Sequence, residues 1–453
     1  MARAKKEAAL TPEERLQAAL VPDWEWPYKL PENWCWTRHN SIMDIVGGAQ
    51  PEKAFFIREP KEGYVQLYQT RDYGENPVPV YIPQKYATKT TDEGDILLAR
   101  YGGSLGKVFK AHKGAYNVAL AKVIILYPEV VDDEFLYLYY YSHFYQDFCI
   151  KAGYGRSAQA GFNKSDLNEL LFPLPPFIEQ QRIVDRIESL FAKLNEAKEK
   201  AQAVVDSFET RKAAILHKAF TGELTAKWRE EHGVRMESWE VRTLDSVCSS
   251  IFDGDHMPPP KAESGIPFLV ISNVNTGHLT FENTRFVPQE YYDTLSDTRK
   301  PQLGDVLYTL VGSFGIPVVV NSKRPFCFQR HMALLRPIDV SPQFLWYILQ
   351  TPEMYDKASS IATGTAQLTV PIKGLRAMTI PRPNIAEQVE IVRILDGFFA
   401  REQSAKEVAE AVLAQIDLMK KSILARAFRG ELGTNDPNEE SAVELLKKVF
   451  QKE

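Results

Sequence analysis

The chain has 453 residues, 44% apolar and 25% charged, with a formal net charge of −5. That length holds two or three domains, each large enough for its own core, in the composition of an ordinary soluble protein. No run of 18 apolar residues marks a membrane span, and Cys35, Cys149, Cys248 and Cys327 lie scattered with no Cys-x-x-Cys pair, against a disulfide framework or zinc site and for a reducing cytoplasm.

Met1 to Leu10 is rich in Lys, Ala and Glu and has no apolar stretch of the secretory kind. Thr11-Pro12-Glu13-Glu14 predicts a capped helix over residues 11–20. After Trp34-Cys35-Trp36, strands are expected at Asp95–Ala99 and Ala121–Tyr127, with the glycine-rich turn Gly102-Gly103-Ser104-Leu105-Gly106-Lys107 between them. Phe135–Phe148 reads as a helix with an aromatic face. Its run Tyr137-Leu138-Tyr139-Tyr140-Tyr141 suits core packing better than base stacking.

A long helix then starts after Pro173-Leu174-Pro175-Pro176 and stops at Gly222. Its seam is Ile183, Ile187, Leu190, Leu194, Ala197, Ala201, Val204, Phe208 and Ile215, with Arg211 as the polar break. Further on, Asp253, Asp255 and His256 precede Met257-Pro258-Pro259-Pro260; a turn is the commoner reading of that cluster than a metal site. Strands are expected at Asp305–Leu310 and Pro317–Asn321, with Gly312-Ser313-Phe314-Gly315 between them, and a helix at Pro342–Leu349. A second long helix follows Pro381-Arg382-Pro383 and ends at Gly430. Its seam is Ile391, Leu395, Phe398, Ala405, Ala409, Val412, Ile416, Met419 and Ile423, broken by Glu402. Each long helix runs roughly 43 residues, about 65 Å. A short amphipathic helix, Val443–Phe450, closes the chain.

The order repeats. Gln159–Leu224 recurs as Gln367–Leu432, always 208 positions later, without insertion or deletion. Glu179-Gln180 returns as Glu387-Gln388, Phe191 as Phe399, and Gly222-Glu223-Leu224 as Gly430-Glu431-Leu432. A period this long means two copies of one module, and each seam asks for a partner helix, which the other copy supplies. The regions in front match more loosely, at Trp34/Trp239 and at Gly94-Asp95/Gly304-Asp305. Similar frames around diverged interiors suggest one job done on two targets.

The negative net charge is unevenly spread. Ile96–Pro128 and Val306–Ile338 are both 33 residues long and contain no Asp or Glu, but hold Arg100, Lys107, Lys110, Lys113 and Lys122, and Lys323, Arg324, Arg330 and Arg336. Two such windows at corresponding places fit surfaces that face nucleic acid. Motifs for chemistry are missing. Gly102–Val108 has the wrong count for a phosphate loop, and there is no Gly-x-Gly-x-x-Gly opening a helix and no His-Glu-x-x-His.

Variable domain, Pro-x-Pro (Pro-x-Pro-Pro in the first copy) with Glu-Gln-x-x-Ile-Val, long coil and Phe-x-Gly-Glu-Leu, given twice, resembles the specificity subunit of type I restriction-modification systems from Pro31 to Leu432. The resemblance implies an α+β fold: two globular α/β target-recognition domains separated by two long helices in an antiparallel coiled coil, with a pseudo-twofold internal repeat. The expected parts are a leader (1–30), first recognition domain (31–175), first coil helix (176–224), linker (225–238), second recognition domain (239–382), second coil helix (383–432) and tail (433–453).

It further implies that each domain reads one half of a bipartite, asymmetric double-stranded DNA target in the major groove, while the coil sets the spacer. Two methylation subunits carrying S-adenosylmethionine and two restriction subunits using ATP and Mg would dock on it, leaving this chain non-catalytic, without cofactor or metal of its own, and cytoplasmic. A coiled-coil adaptor that never touches DNA is the alternative. From charge and turn placement, the expected DNA contacts are Arg100, Ser104, Lys107 and Lys110 in the first copy, with Gln69 and Arg71 as further candidates, and Ser313, Lys323, Arg324, Arg330 and His331 in the second.

Overall fold

The structure, a computed structural model, describes residues 10–154, 161–254 and 259–452. The first copy runs α1 (Pro12–Ala19), β1 (Cys35–Arg38), α2 (His39–Ile42), β2 (Met43–Gly47), β3 (Tyr64–Tyr68), β4 (Tyr81–Pro83), β5 (Thr90–Thr91), β6 (Ile96–Ala99), β7 (Val108–Lys110), β8 (Gly114–Tyr116) and β9 (Leu120–Ile125). Then come α3 (Asp133–Tyr139), α4 (His143–Tyr154), β10 (Leu171–Leu174), α5 (Phe177–Asp206) and α6 (Phe208–Phe220). The second copy follows as α7 (Ala226–His232), β11 (Glu240–Thr243), α8 (Leu244–Val247), β12 (Cys248–Asp253), β13 (Ile266–Leu269), β14 (Arg285–Val287), α9 (Gln289–Thr294), β15 (Val306–Thr309), β16 (Pro317–Val319), β17 (Cys327–Phe328) and β18 (Met332–Pro337). It ends with α10 (Pro342–Ile348), α11 (Pro352–Ile361), α12 (Ile372–Ala377), β19 (Thr379–Arg382), α13 (Ile385–Ala427) and α14 (Ala442–Lys452).

The chain divides into two compact units, one holding residues through 200 and from 412 on, the other residues 201–411. Each has three sheets, the second of them four-stranded in the first unit and three-stranded in the second. In the first they are β2-β9-β6-β7, β4-β3-β8-β5 and the ribbon β1-β10; in the second, β12-β18-β15-β16, β14-β13-β17 and the ribbon β11-β19. The central strand is buried on both faces. Ile96 and Leu98 of β6 join the main core under the helices, while Leu97 and Ala99 face a smaller core with Tyr116 and Leu120. In β15, Val306 and Tyr308 face the main core and Leu307 the outer one. Period-two alternation turns one apolar strand into the divider between two cores.

Glu179-Gln180 and Glu387-Gln388 hold the same positions because both side chains are buried and fully used. The Gln180 amide accepts from the N–H of Asp132, the N-cap of α3, and donates to Val130 and Pro175 carbonyls at 2.7 and 3.1 Å. Gln388 likewise accepts from the N–H of Ser341, the N-cap of α10, and donates to Pro383 O. The glutamates take indole N–H groups, Trp34 on Glu179 and Trp239 on Glu387, each at 2.8 Å. Their other partners come from beyond the two Gly-Glu-Leu motifs. Thr434 and Asn435 donate to Glu179, and Thr225 and Arg229 to Glu387. Each copy's helix start is thereby tied, within one unit, to the end of the other copy's helix.

The long helices pack antiparallel inside each unit. In the first, Ile183 and Ile187 share a core with Leu424 and Phe428, and Asn195 accepts from Lys420 at 2.7 Å. In the second, Leu216 and Ala219 share a core with Ile391 and Leu395. The two polar breaks meet there, with Arg211 Nε 2.7 Å from Glu402 Oε2.

Three expectations need correction. The helix expected over Phe135–Phe148 is two helices, because Tyr141 and Ser142 N–H groups bond three residues back and end α3. The first long helix is interrupted at Ser207, whose hydroxyl donates to Ala203 O while Arg211 donates to Val204 O, both competing with the helical ladder. In α13, Ala405, Val412 and Met419 are exposed, and Lys406, Leu413 and Lys420 turn inward instead. A straight helix drifts against a strict 3.5 repeat, and Lys406 and Lys420 place their ammonium groups over aromatic rings. Lys406 Nζ lies 4.8 Å from the Phe208 ring centre and Lys420 Nζ 5.4 Å from that of Phe191.

The terminal helices pack on each other. Thr11 and Glu14 form the expected capping box, and Ala19 joins Ala442, Leu446, Val449 and Phe450 in the first unit's core. None of the four cysteines forms a disulfide, and all are buried.

Candidate nucleic-acid interface

In both units the end of the central sheet is framed by the same backbone hydrogen bonds. Gly47 of β2 pairs with Ala121 of β9, and Asp253 of β12 with Ala333 of β18. The next residues, Gly48 and Gly254, donate to Leu120 O at 3.0 Å and Met332 O at 3.3 Å. A Cβ on either glycine would lie within 2.2 Å of a backbone carbonyl oxygen, of Asn117 or Phe328, so only glycine fits this crossing. Past the central strand, Arg100 N–H donates to Ala119 O and Leu310 N–H to His331 O, at 3.0 and 2.8 Å. Arg100 O and Leu310 O in turn accept from Phe162 and Val370 N–H. The loops close alike, with Tyr101 bridged to Gly161 and Val311 to Thr369.

The side chains on that frame differ. In the first copy the Arg100 guanidinium lies across Gly47, where any Cβ would be 2.7 Å from Nη2. Arg100 Nε donates to Val118 O at 3.2 Å, and the guanidinium stacks 4.7 Å from the Tyr101 ring centre. In the second copy a cleft with a volume near 370 Å³ opens here, lined by Asp253, Leu310, Arg330, His331 and Gln367, among others. Burial first, and then the Arg330 charge, lower the His331 pKa, so this ring is neutral near pH 7 and offers one donor and one acceptor.

The other expected contacts are spread out. Lys107 is exposed on the turn after Gly102–Ser104, while Ser104 is partly buried and its carbonyl accepts from Lys107 N–H. Lys110 points elsewhere, its ammonium 2.7 Å from Glu134 and over the Tyr137 ring. Gln69 precedes a short 3-10 turn that carries exposed Arg71, and its amide nitrogen is buried without a protein partner. Ser313 is exposed on its glycine turn, but neighbouring Phe314 turns inward to stack on Tyr355. Lys323 and Arg324 sit on a different loop, between β16 and β17, with Arg324 over Phe281.

The acid-free windows are less cationic in space than in sequence. Besides Lys110, Lys122 pairs with Asp95 at 2.5 Å, and Arg336 pairs with buried Asp305 through two hydrogen bonds of 3.0 and 2.9 Å. The Gly-Asp pairs just outside the windows supply these carboxylates. Gly47, Val118 and Gln367 escaped the sequence reading, because their roles depend on non-local strand pairing. Asp253 stood in a cluster read as a turn rather than a metal site, of which Asp255 and His256 lie outside the described residues. No group of three or more His, Cys, Asp or Glu gathers as metal ligands among the described residues.

A family model for the type I restriction modification DNA specificity domain matches the chain twice, at residues 31–205 and 236–412. The chain is 25% identical to the type I restriction enzyme EcoKI specificity subunit of Escherichia coli K12, over 93% of this chain and 96% of that one. Its fold resembles that of the HsdS subunit from Thermoanaerobacter tengcongensis, with a TM-score of 0.63, 21% identity and coverage of 90% of this chain and 99% of that one. A chain from a type I R-M system, solved in work on complex assembly and conformational transition, gives a TM-score of 0.66 at 22% identity over 89% of this chain and all of that one. With both copies matched over most of their length, the chain belongs to the type I restriction modification DNA specificity family.

Proposed function

We propose that this chain is the sequence-reading subunit of a type I restriction-modification complex, each copy recognising one half of a bipartite, asymmetric duplex target. The observation that carries the reading is one backbone frame given twice with different polar side chains on it. Sequence is read by side chains on base edges, and exposed cations such as Lys107, Lys323 and Arg324 set register on phosphates. The antiparallel helices act as a ruler. About 65 Å of helix comfortably exceeds the ~34–36 Å between half-sites one helical turn apart.

The chain itself carries no catalytic step. Two methylation subunits, with S-adenosylmethionine, and two restriction subunits, with ATP and Mg, supply the chemistry on a cytoplasmic complex. Support comes from the absence of cofactor motifs in the sequence and from the names of the relatives. Duplex binding by the purified chain, alone and with its methylation partner, tests this. Binding that falls steeply with salt and prefers one sequence is expected. Copurification with protein partners and no duplex binding at any salt would instead favour a protein adaptor.

A further inference from the structure

The ribbon strands β1 and β11 lie in the same register, with Trp36 opposite Pro173 and Val241 opposite Pro381. Facing residues that exchange hydrogen bonds need an N–H on each, and proline has none. Trp36 and Val241 therefore turn their N–H and C=O groups away from β10 and β19, towards the other edge of the ribbon. In the first copy that edge is taken. Trp36 O accepts from Val21 N–H at 2.9 Å, and Leu20 bridges to Thr37. In the second copy β11 pairs with β19 alone among the described residues. Val241 is 74% exposed, and Glu240 and Arg242 are exposed beside it. An open edge is a template for one more strand.

The side chains indicate which strand fits. Glu240 and Arg242 project from one face of β11 and Val241 from the other. Turned end for end about Val241, the run Glu240-Val241-Arg242 meets its own complement: Val241 faces Val241, and each Glu240 faces an Arg242. Opposite charges across an antiparallel pair stabilise it, and like charges directly opposite destabilise it. This edge therefore matches itself better than it matches a strand of one charge. We propose that the open edge of β11 is a self-association site, pairing antiparallel with β11 of a second molecule of this chain about a twofold axis through Val241. The contact is isologous, so it closes at two molecules. The Val241 N–H and C=O groups are exchanged, and two valine side chains leave water. Each Glu240, 2.8 Å from Arg242 of its own strand, gains a second cation across the axis. A four-residue strand makes a small contact, so monomer and dimer exchange with concentration. The proposal goes beyond the DNA-reading function and does not rest on it; with that function, the pair holds two bipartite targets at once.

Sedimentation velocity of the full chain over a range of concentrations tests it. The unaltered chain is expected to shift from monomer towards dimer as concentration rises. Glu240→Arg sets an arginine against Arg242 of the other molecule, and Arg242→Glu sets a glutamate against its Glu240. Each is expected to raise the dimer dissociation constant by roughly tenfold or more. Mixed in equal amounts, the two variants are complementary again and are expected to regain dimer, a rescue that damage to the fold would not show. The double variant Glu240→Arg/Arg242→Glu is expected to dimerise like the unaltered chain. A mixture no more dimeric than either variant alone would overturn the proposal. So would an unaltered chain that stays monomeric at every concentration, as it would if the edge took an extended segment of another protein. Neither result alters duplex binding, which is measured separately.

Discussion

The two copies share a frame and differ in how they close it. Glu179 is held by neutral donors, Trp34, Asn435 and Thr434, and burial raises its pKa. Glu387 sits opposite Arg229, 2.7 Å away and almost as buried. At the start of the short helices α2 and α8, buried His39 corresponds to buried Leu244, and their N–H groups donate to Leu170 O and Met378 O. In the first copy the ribbon strand β1 is buried, with Leu20 and Val21 pairing along it; in the second, Val241 of β11 is 74% exposed. Hydrogen-bond geometry is thus kept while charge, titration and covering vary, so duplication constrained the backbone more tightly than the chemistry placed on it.

Substituting the two glutamates breaks the comparison most severely. Glu387→Gln leaves Arg229 buried without its counter-charge and should cost about 3–5 kcal/mol. Glu179→Gln strands no buried cation and should cost about 1 kcal/mol. Equal shifts in urea unfolding would mean that the two sockets are equivalent after all.

Acid separates the copies next. Burial holds the His39 pKa down to about 4, whereas the unfolded chain takes up the proton near pH 6.5. The unfolded state therefore binds more protons between those values. Stability should fall as pH drops from about 6.5 and level off near 4, a loss of about 3 kcal/mol. Replacing His39 with Leu, the residue of the second copy, should flatten that part of the pH–stability curve; an unchanged slope would rule out His39 as its source.

Arg330→Ala should cost about 1–3 kcal/mol on the preferred duplex and relax only one half-site; equal losses on preferred and random duplex would reduce Arg330 to a phosphate contact. The smallest effects belong to the coil. Lys406→Ala and Lys420→Ala each remove one ammonium from an aromatic ring, in different units, and should each cost about 0.5–1 kcal/mol. A much larger loss in one unit would show that the helices are not equally secured.

The repeat, the outer ends of the long helices, the central strands β6 and β15 and the terminal helices were legible in the sequence, because each depends on local spacing or on comparison of the chain with itself. The lysine seam of α13 was not, since a Lys whose ammonium sits over a ring reads as solvent-facing charge. The sites were half legible. Arg100 and Arg330 stood out as cations in acid-free windows, with His331 as a polar neighbour, but Lys110, Lys122 and Arg336 looked the same and turned out to serve carboxylates outside those windows. Gly47 and Val118 carry no charge signal, and only strand pairing brings them to Arg100.

The recognition motif of the complex tests the idea of two different readers on one ruler most directly, determined for the chain as it stands and with one heptad inserted between Ala197 and Ala201. The expected result is two unlike half-sites around an unread spacer, and after insertion the same half-sites with a longer spacer. One contiguous motif, two identical half-sites, or a spacer that ignores the insertion would contradict it.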